Sequence, residues 1–322
     1  MPRGSLETLA ADLDFPALRY AADHEYILSC LAADSARTTC IVREIDVLNH
    51  KPGRRCTVRY DIDTGDEGFA VVGKWYRAPG QAASMHALIA SLLATELSLP
   101  ALVHGSEHVV MQRFVPGLEL RFLVDAEDTR PFAEAGEWLA RLHAFDGAPG
   151  LKPKSTAHEL SKVQAWSREL STELPEHTDA LNRLTSDLES ASRHLADVRP
   201  TPIHRDYYPA NLLWDGDKLW GIDFDQMALG DPALDAGSFL AQLEKIVIRD
   251  GLASSHLTAK SAAFTDAYGS ARDGDLGARV SFFKAYTFLK LAAAEVQRRR
   301  ERWEELTSAY LGRAVEEAAR AR

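Results

Sequence analysis

The chain has 322 residues, 46% of them apolar and 26% charged, with 20 glycines and 14 prolines; that is ample material for a core, and at about 100–200 residues per domain it favours two domains over one. Collagenous, low-complexity and wholly disordered classes are excluded by this composition. The 37 Lys and Arg stand against 47 Asp and Glu, a net charge of −10, which argues against broad electrostatic binding to nucleic acid or an anionic membrane and tilts ligand preference toward cations.

Nothing repeats at a 20–50 residue period, so the changes in hydrophobic period organise the chain. The first residues carry an early acid and no continuous apolar run, and no stretch approaches the roughly 20 apolar residues of a membrane span. Cys30, Cys40 and Cys56 form no Cys-x-x-Cys pair and read as core or surface thiols of a reducing compartment. A cytoplasmic protein is expected.

Residues 15–33 read as a weakly patterned helix. Three β-branched and aromatic runs follow at 41–48, 56–62 and 69–76, separated by Lys51-Pro-Gly-Arg and Asp63-Thr-Gly-Asp-Glu-Gly, and they predict two successive hairpins. A helix is expected over 81–97, then strands at 102–104 and 109–114. After Val115-Pro-Gly the pattern turns helical. Phe132, Ala135, Leu139 and Leu142 recur near the helical period behind Pro131, which suits a first turn. Residues 158–197, 254–268 and 276–298 read as further helices, and the run Arg298-Arg-Arg-Glu-Arg, interspersed with Glu301, Glu304 and Glu305, reads as a solvated helical face. The expected organisation is a β-rich lobe over 1–113, a linking segment at 114–118 and a mostly helical lobe over 119–322.

The stretch richest in chemistry is Pro202-Ile-His204-Arg205-Asp206-Tyr-Tyr-Pro-Ala-Asn211-Leu-Leu-Trp214, followed by Asp215-Gly-Asp and Leu219-Trp-Gly-Ile-Asp223-Phe-Asp225. Residues 212–214 and 219–222 flank an Asp-Gly turn and predict a hairpin with a polar loop before it and an acid at its far end. That folding brings Asp206, Asn211 and Asp223 toward one mouth. Phosphoryl transfer needs such a set: one carboxylate to orient the attacking hydroxyl and accept its proton, and oxygen ligands to hold Mg2+ on the phosphates. The plain alternative for Asp206 is a loop carboxylate capping a backbone turn.

His-Arg-Asp-x-x-x-x-Asn, with Asp223 twelve residues beyond Asn211, resembles the catalytic loop and metal-binding acid of the aminoglycoside phosphotransferase and choline kinase family. Leu139-Ala-Arg-Leu-His143 resembles the helix this family carries ahead of the loop, and Gly230-Asp231-Pro232-Ala-Leu-Asp235 the segment after the metal acid. The likeness spans about 41–239. It implies an α+β, bilobal protein-kinase-like fold, with a small N-terminal antiparallel sheet lobe that binds nucleotide and a larger, mainly helical C-terminal lobe. It also implies Asp206 as catalytic residue, Asn211 and Asp223 as metal ligands, and a structural rather than basic role for His204. Arg205 is left as either a neutraliser of the loop's acids or a surface charge.

Lys74, in Val71-Val-Gly-Lys-Trp-Tyr, resembles the family's β3 lysine, which contacts the α and β phosphates; an exposed strand lysine is the alternative. Residues 81–94 contain no acid to pair with it, leaving Gln81, Ser84 and His86 as polar stand-ins. The phosphate-covering loop has a single glycine in His50-Lys-Pro-Gly53-Arg54-Arg55, so its tip is expected to offer backbone N–H groups and the cations Lys51, Arg54 or Arg55; a solvated basic turn is the alternative. Asp225 points to the same face as Asp223 if the strand continues, where it either touches a second Mg2+ or bonds the catalytic loop. Asp231 before Pro232 reads as a helix start, with Asp235 likewise scaffold. Residues 111–117 fall at the family's hinge, whose backbone meets the adenine.

No Walker-type loop, zinc-spaced His/Cys cluster or Gly-x-Ser-x-Gly occurs. The expectation is an enzyme that moves the γ-phosphate of ATP, or alternatively GTP, to a hydroxyl of a small molecule: an aminoglycoside, amino sugar, amino alcohol or macrolide. Glu159, Glu169, Glu173, Glu176 and Asp179 either meet an aminated acceptor or form an ordinary solvated face. Two alternatives stand beside this reading. One is a non-catalytic nucleotide-binding or scaffold protein of the same fold, supported by the missing helical glutamate. The other is a protein Ser/Thr kinase, weakened by the lack of Ala-Pro-Glu and by Asp225 in place of glycine.

Overall fold

The structure, a computed structural model, describes residues 9, 12–32, 40–65, 67–147, 150–194, 198–271 and 277–322. The chain divides into two compact units, one ending at Pro116 and the other taking up nearly all residues from Gly117 onward.

In the first unit a 3₁₀ helix, Pro16–Ala22, and α1, His24–Ala32, precede β1 (Ile41–Lys51), β2 (Arg55–Asp63) and β3 (Gly68–Tyr76); α2 (Gln81–Leu93), β4 (Leu102–Gly105) and β5 (Val109–Arg113) follow. The strands form one antiparallel sheet in the order β1-β2-β3-β5-β4. Strand alternation sets its two faces. Cys56, Val58, Tyr60 and Ile62 of β2 pack with Val71, Trp75, Val109 and Met111 against Phe15, Leu18, Ile27 and Leu31. Within this core the Tyr60 hydroxyl donates to the Ala21 carbonyl at 3.1 Å and accepts from Trp75 Nε1 at 3.0 Å. Burial, followed by the charge of Asp12, pushes the Cys56 thiol up to about 12, so it is a packing residue rather than a nucleophile.

Two helices differ from the sequence expectation. The 15–33 stretch breaks at Asp23, whose extended backbone ends the 3₁₀ helix and whose carboxylate accepts the Tyr26 N–H at 3.1 Å. The next helix, α2, stops at Leu93, where the Leu92 carbonyl accepts both the Thr95 N–H at 3.0 Å and the Thr95 hydroxyl at 2.6 Å and the last turn closes.

The second unit begins with β6 (Leu118–Glu119) and a 3₁₀ turn (Leu120–Phe122), then α3 (Arg130–Ala144), α4 (Thr156–Glu173) and α5 (Thr178–His194). Pro175 and the 3₁₀ turn it opens split the expected 158–197 helix into α4 and α5. Four short strands, β7 (Thr201–Ile203), β8 (Leu212–Trp214), β9 (Leu219–Gly221) and β10 (Ala228–Gly230), lead into α6 (Ala233–Asp250), α7 (Ser254–Ser270), α8 (Gly277–Arg298) and α9 (Trp303–Arg320). β6, β8 and β9 make one small sheet, and β10 pairs antiparallel with β7. Phe282, Phe288 and Leu289 of α8 form the centre of a core with Val163, Leu170, Leu184, Leu188 and Tyr310.

The basic run at 298–302 is not a helical face. Arg299 and Arg302 take positive φ (43° and 61°), so α8 ends at Arg298 and the run forms the turn into α9. Arg299 pairs with Glu173 at the end of α4 and Arg302 with the nearby Glu305. Among the described residues no helix is long and apolar enough to cross a membrane.

Candidate active site

The polar loop between β7 and β8 rests on an aromatic floor. The fully buried Tyr207 donates its hydroxyl to the Ala135 carbonyl of α3 at 2.6 Å and stacks on Trp138 with ring centroids 5.7 Å apart. Trp138 in turn lies over β9 at Gly221, where an added Cβ would sit 2.3 Å from its ring, so this close approach requires glycine. The buried His204 ring is flanked by Tyr207 and Phe224, and its Nε2 donates to the Ile222 carbonyl at 3.0 Å. His204 thus ties the loop to the segment carrying Asp223, a structural role.

Asp235, in the first turn of α6, is wholly buried and grips the same loop through both oxygens. Oδ2 accepts the His204 N–H at 2.6 Å and Oδ1 the Arg205 N–H at 2.7 Å. The His143 ring of α3 contributes Nε2 at 3.2 Å from Oδ2, while its Nδ1 meets the Tyr268 hydroxyl at 2.9 Å. Three segments distant in sequence, around residues 143, 204 and 235, therefore converge. Asp231 acts as expected at a helix start, accepting the Ala233 N–H at 3.0 Å, and it also pairs with Arg279.

On this support Asp206, Asn211 and Asp223 are linked through the backbone. Asn211 Nδ2 donates to the Asp206 carbonyl at 2.9 Å, and the Asn211 carbonyl accepts the Ile222 N–H at 3.1 Å, one residue before Asp223. The Tyr208 phenol has its pKa raised first by burial and then by the charges of Asp206 and Asp223. Arg205 and Asp223 both hold φ at 65°, a left-handed conformation that costs a non-glycine residue about 1–2 kcal/mol. Asp225 departs from expectation: Phe224–Gln226 is a 3₁₀ turn, so the strand does not continue and the alternation argument for its direction does not hold.

Lys74 lies in the other compact unit. It is half-buried on β3, opposite Thr57 and Val110. The β1–β2 turn of that unit is used differently from the expectation. Asp12 Oδ2 accepts the Gly53 N–H at 2.8 Å and lies 2.9 Å from His50 Nε2, while the Arg54 N–H donates to the Lys51 carbonyl at 3.0 Å. Burial raises the Asp12 carboxyl pKa, but the Gly53 amide and His50 outweigh it and hold it below the usual carboxylate range. Two amides at the tip are thus committed within the protein, and Gly53 adopts the positive φ (63°) that the tight turn requires.

The acids of α4 and α5 separate into two kinds. Glu169 and Glu173 are held by Gln297 and Arg299, and Glu176 and Asp179 are exposed, as a solvated face requires. Glu159 instead is 2% exposed. It accepts from Arg205 at 2.9 Å, Lys162 at 2.6 Å and the Tyr286 hydroxyl at 2.5 Å. Sequence reasoning read Asp235 as scaffold, as the structure has it, but missed which loop it holds, and it missed the role of Glu159. The Asp235 and His143 motifs were visible separately, but nothing in the spacing signalled their contact.

A family model described as the phosphotransferase enzyme family matches residues 58–283, from β2 into α8. The chain is similar in fold to an amicoumacin kinase solved with AMP-PNP, Ca2+ and Ami, at 12% identity over 94% of this chain and 96% of that one, with a TM-score of 0.65. A spectinomycin phosphotransferase solved with ADP and spectinomycin gives 11% identity, 93% and 98% coverage and 0.60. A choline/ethanolamine kinase family protein from Mesorhizobium loti gives 16% identity, 91% and 94% coverage and 0.59. No curated protein matches the sequence at a significant level.

Proposed function

The chain belongs to the phosphotransferase enzyme family, and on that premise we propose that it moves the γ-phosphate of ATP to a hydroxyl of a small molecule, with Asp206 as the catalytic carboxylate. The observation that carries this reading is the linked set in one unit: Asn211 fixed to the Asp206 carbonyl, and the Ile222–Asp223 segment fixed to Asn211. Asp206 orients the acceptor hydroxyl and takes its proton as the oxygen attacks the γ-phosphorus and ADP departs.

Asn211 and Asp223 are the residues that would hold Mg2+. Their chemistry fits: the Asn211 amide nitrogen is engaged at 2.9 Å, which directs its oxygen away from that bond, and Asp223 adds a carboxylate. Among the described residues no group of three His, Cys, Asp or Glu side chains converges as a protein-only metal site, in keeping with an ion that takes one or two carboxylates and completes its shell with phosphate oxygens and water. When bound, Mg2+ neutralises charge on the phosphates. Lys74 contacts the α and β phosphates from the first unit. Residues 1–113 serve nucleotide binding and 114–118 the hinge, supported by the division of the compact units after Pro116. Support for adenine nucleotides comes from the fold relatives solved with AMP-PNP and with ADP; GTP is the alternative donor. The acceptor class is an aminoglycoside, amino sugar, amino alcohol or related antibiotic, with the net charge of −10 favouring a cationic molecule.

The test is ADP formation from Mg·ATP in the presence of spectinomycin, choline and glucosamine. Asp206→Asn is expected to lose on the order of 100-fold or more in turnover at unchanged melting temperature, and Asp223→Ala to lose Mg2+-dependent nucleotide binding. Full turnover by Asp206→Asn would remove its assigned role.

A further inference from the structure

The residue just before Asp206 is held in an unusual way. Arg205 adopts φ of 65°, where an L side chain is disfavoured by about 1–2 kcal/mol and glycine is not. Its backbone N–H is fixed by the buried Asp235 carboxylate at 2.7 Å. Its guanidinium, 14% exposed, reaches α4 and donates to Glu159 Oε1 at 2.9 Å. Glu159 Oε2 is taken by Lys162 of the same helix and by the Tyr286 hydroxyl of α8, and Tyr286 packs against Trp166 at 5.2 Å between centroids. The far end of Arg205 is therefore anchored to a carboxylate that two other groups already fix. If φ of 65° served the backbone alone, glycine would supply it without strain; an arginine that spans from the loop to a saturated buried glutamate does something further.

We propose that Glu159 and Arg205 form a positioning pair that sets the Asp206 carboxylate for the acceptor hydroxyl. Asp235 fixes the His204–Arg205 peptide, Asn211 fixes the Asp206 carbonyl, and the Glu159–Arg205 bond prevents the intervening left-handed turn from relaxing. Burial alone would raise the Glu159 carboxyl pKa, but Lys162, Tyr286 and Arg205 outweigh it and bring it below the usual range, so the glutamate is present as the anion that Arg205 requires. Both residues are positioning residues, since neither is required to touch the substrate. This inference rests on Asp206 being the catalytic carboxylate.

Arg205→Gly is the informative variant. It accepts φ of 65° without strain and leaves Glu159 satisfied by Lys162 and Tyr286, so the fold is retained. The expected result, read as ADP formation from Mg·ATP with spectinomycin, choline and glucosamine, is a fall in kcat of at least tenfold, with KM for ATP within twofold and the melting temperature unchanged or raised. Glu159→Gln is expected to lower kcat similarly, Arg205→Lys to lose less than Arg205→Gly, and the double variant Glu159→Gln/Arg205→Gly to fall no further than the worse single one. A kcat for Arg205→Gly within twofold of the wild type, or losses that multiply in the double variant, would overturn the pair. Asp206→Asn run alongside separates the two failures. If that variant is inactive while Arg205→Gly is unaffected, the positioning pair alone is wrong. If Asp206→Asn is fully active, or the wild type forms no ADP, the site reading falls and this inference with it.

Discussion

Glu159 shows how a residue's surroundings reverse the plain reading of its type. On sequence it is one of several acids along a charge-rich helix; in the structure it is buried and receives three donors from α4, α8 and the loop before Asp206. Its folded pKa lies below the usual carboxylate range because those donors outweigh the effect of burial. The stability it contributes is therefore complete above its unfolded pKa of about 4.3 and is lost as pH falls through the lower folded value. Glu159→Gln is expected to melt below the wild type at pH 7, with the gap closing as the pH is taken below about 4. Melting curves across that range check it, and a gap that widens toward acid would show that the carboxylate is not stabilised as described. Asp206, Asn211 and Asp223 could be grouped as candidates because their spacing is local to one loop and hairpin. The Arg205–Glu159 and Arg205–Asp235 bonds span 46 and 30 residues, and no local pattern encodes such partners.

Elements were legible where one face of a strand or helix meets a core, as in β2, whose buried residues alternate strictly along its length. They were less legible where a single side chain competes for the backbone. Thr95 ends α2, Asp23 separates the 3₁₀ helix from α1, and Pro175 splits α4 from α5. The β1–β2 turn is the clearest case: its glycine suggests open amides, yet Asp12, 41 residues upstream, has taken the Gly53 N–H. Close packing between elements sets further constraints. Gly221→Ala would drive a methyl to 2.3 Å from Trp138, on which Tyr207 stacks. Overpacking of this kind costs about 1–3 kcal/mol, so the variant is expected to unfold at lower denaturant, and because the Tyr207 floor shifts, to lose turnover as well. An unchanged unfolding midpoint would mean that the ring moves freely aside.

At the scale of the molecule, a sheet-first, helix-second order was readable from the change of hydrophobic period along the chain, and the two compact units each carry a separate core. The last helix, α9, escaped because the Arg-rich run before it read as a continuation of α8. Family membership rests on a match over 58–283, while the fold relatives, at 11–16% identity, establish architecture and leave the acceptor to experiment. The most direct measurement is mass spectrometry of the products formed from Mg·ATP and a panel of aminoglycosides, amino sugars, amino alcohols and macrolides, with Asp206→Asn run in parallel. A phosphorylated panel compound made by the wild type and absent with the variant is expected. The same product made at equal yield by Asp206→Asn, or ATP consumed with phosphate appearing on no hydroxyl, would contradict it.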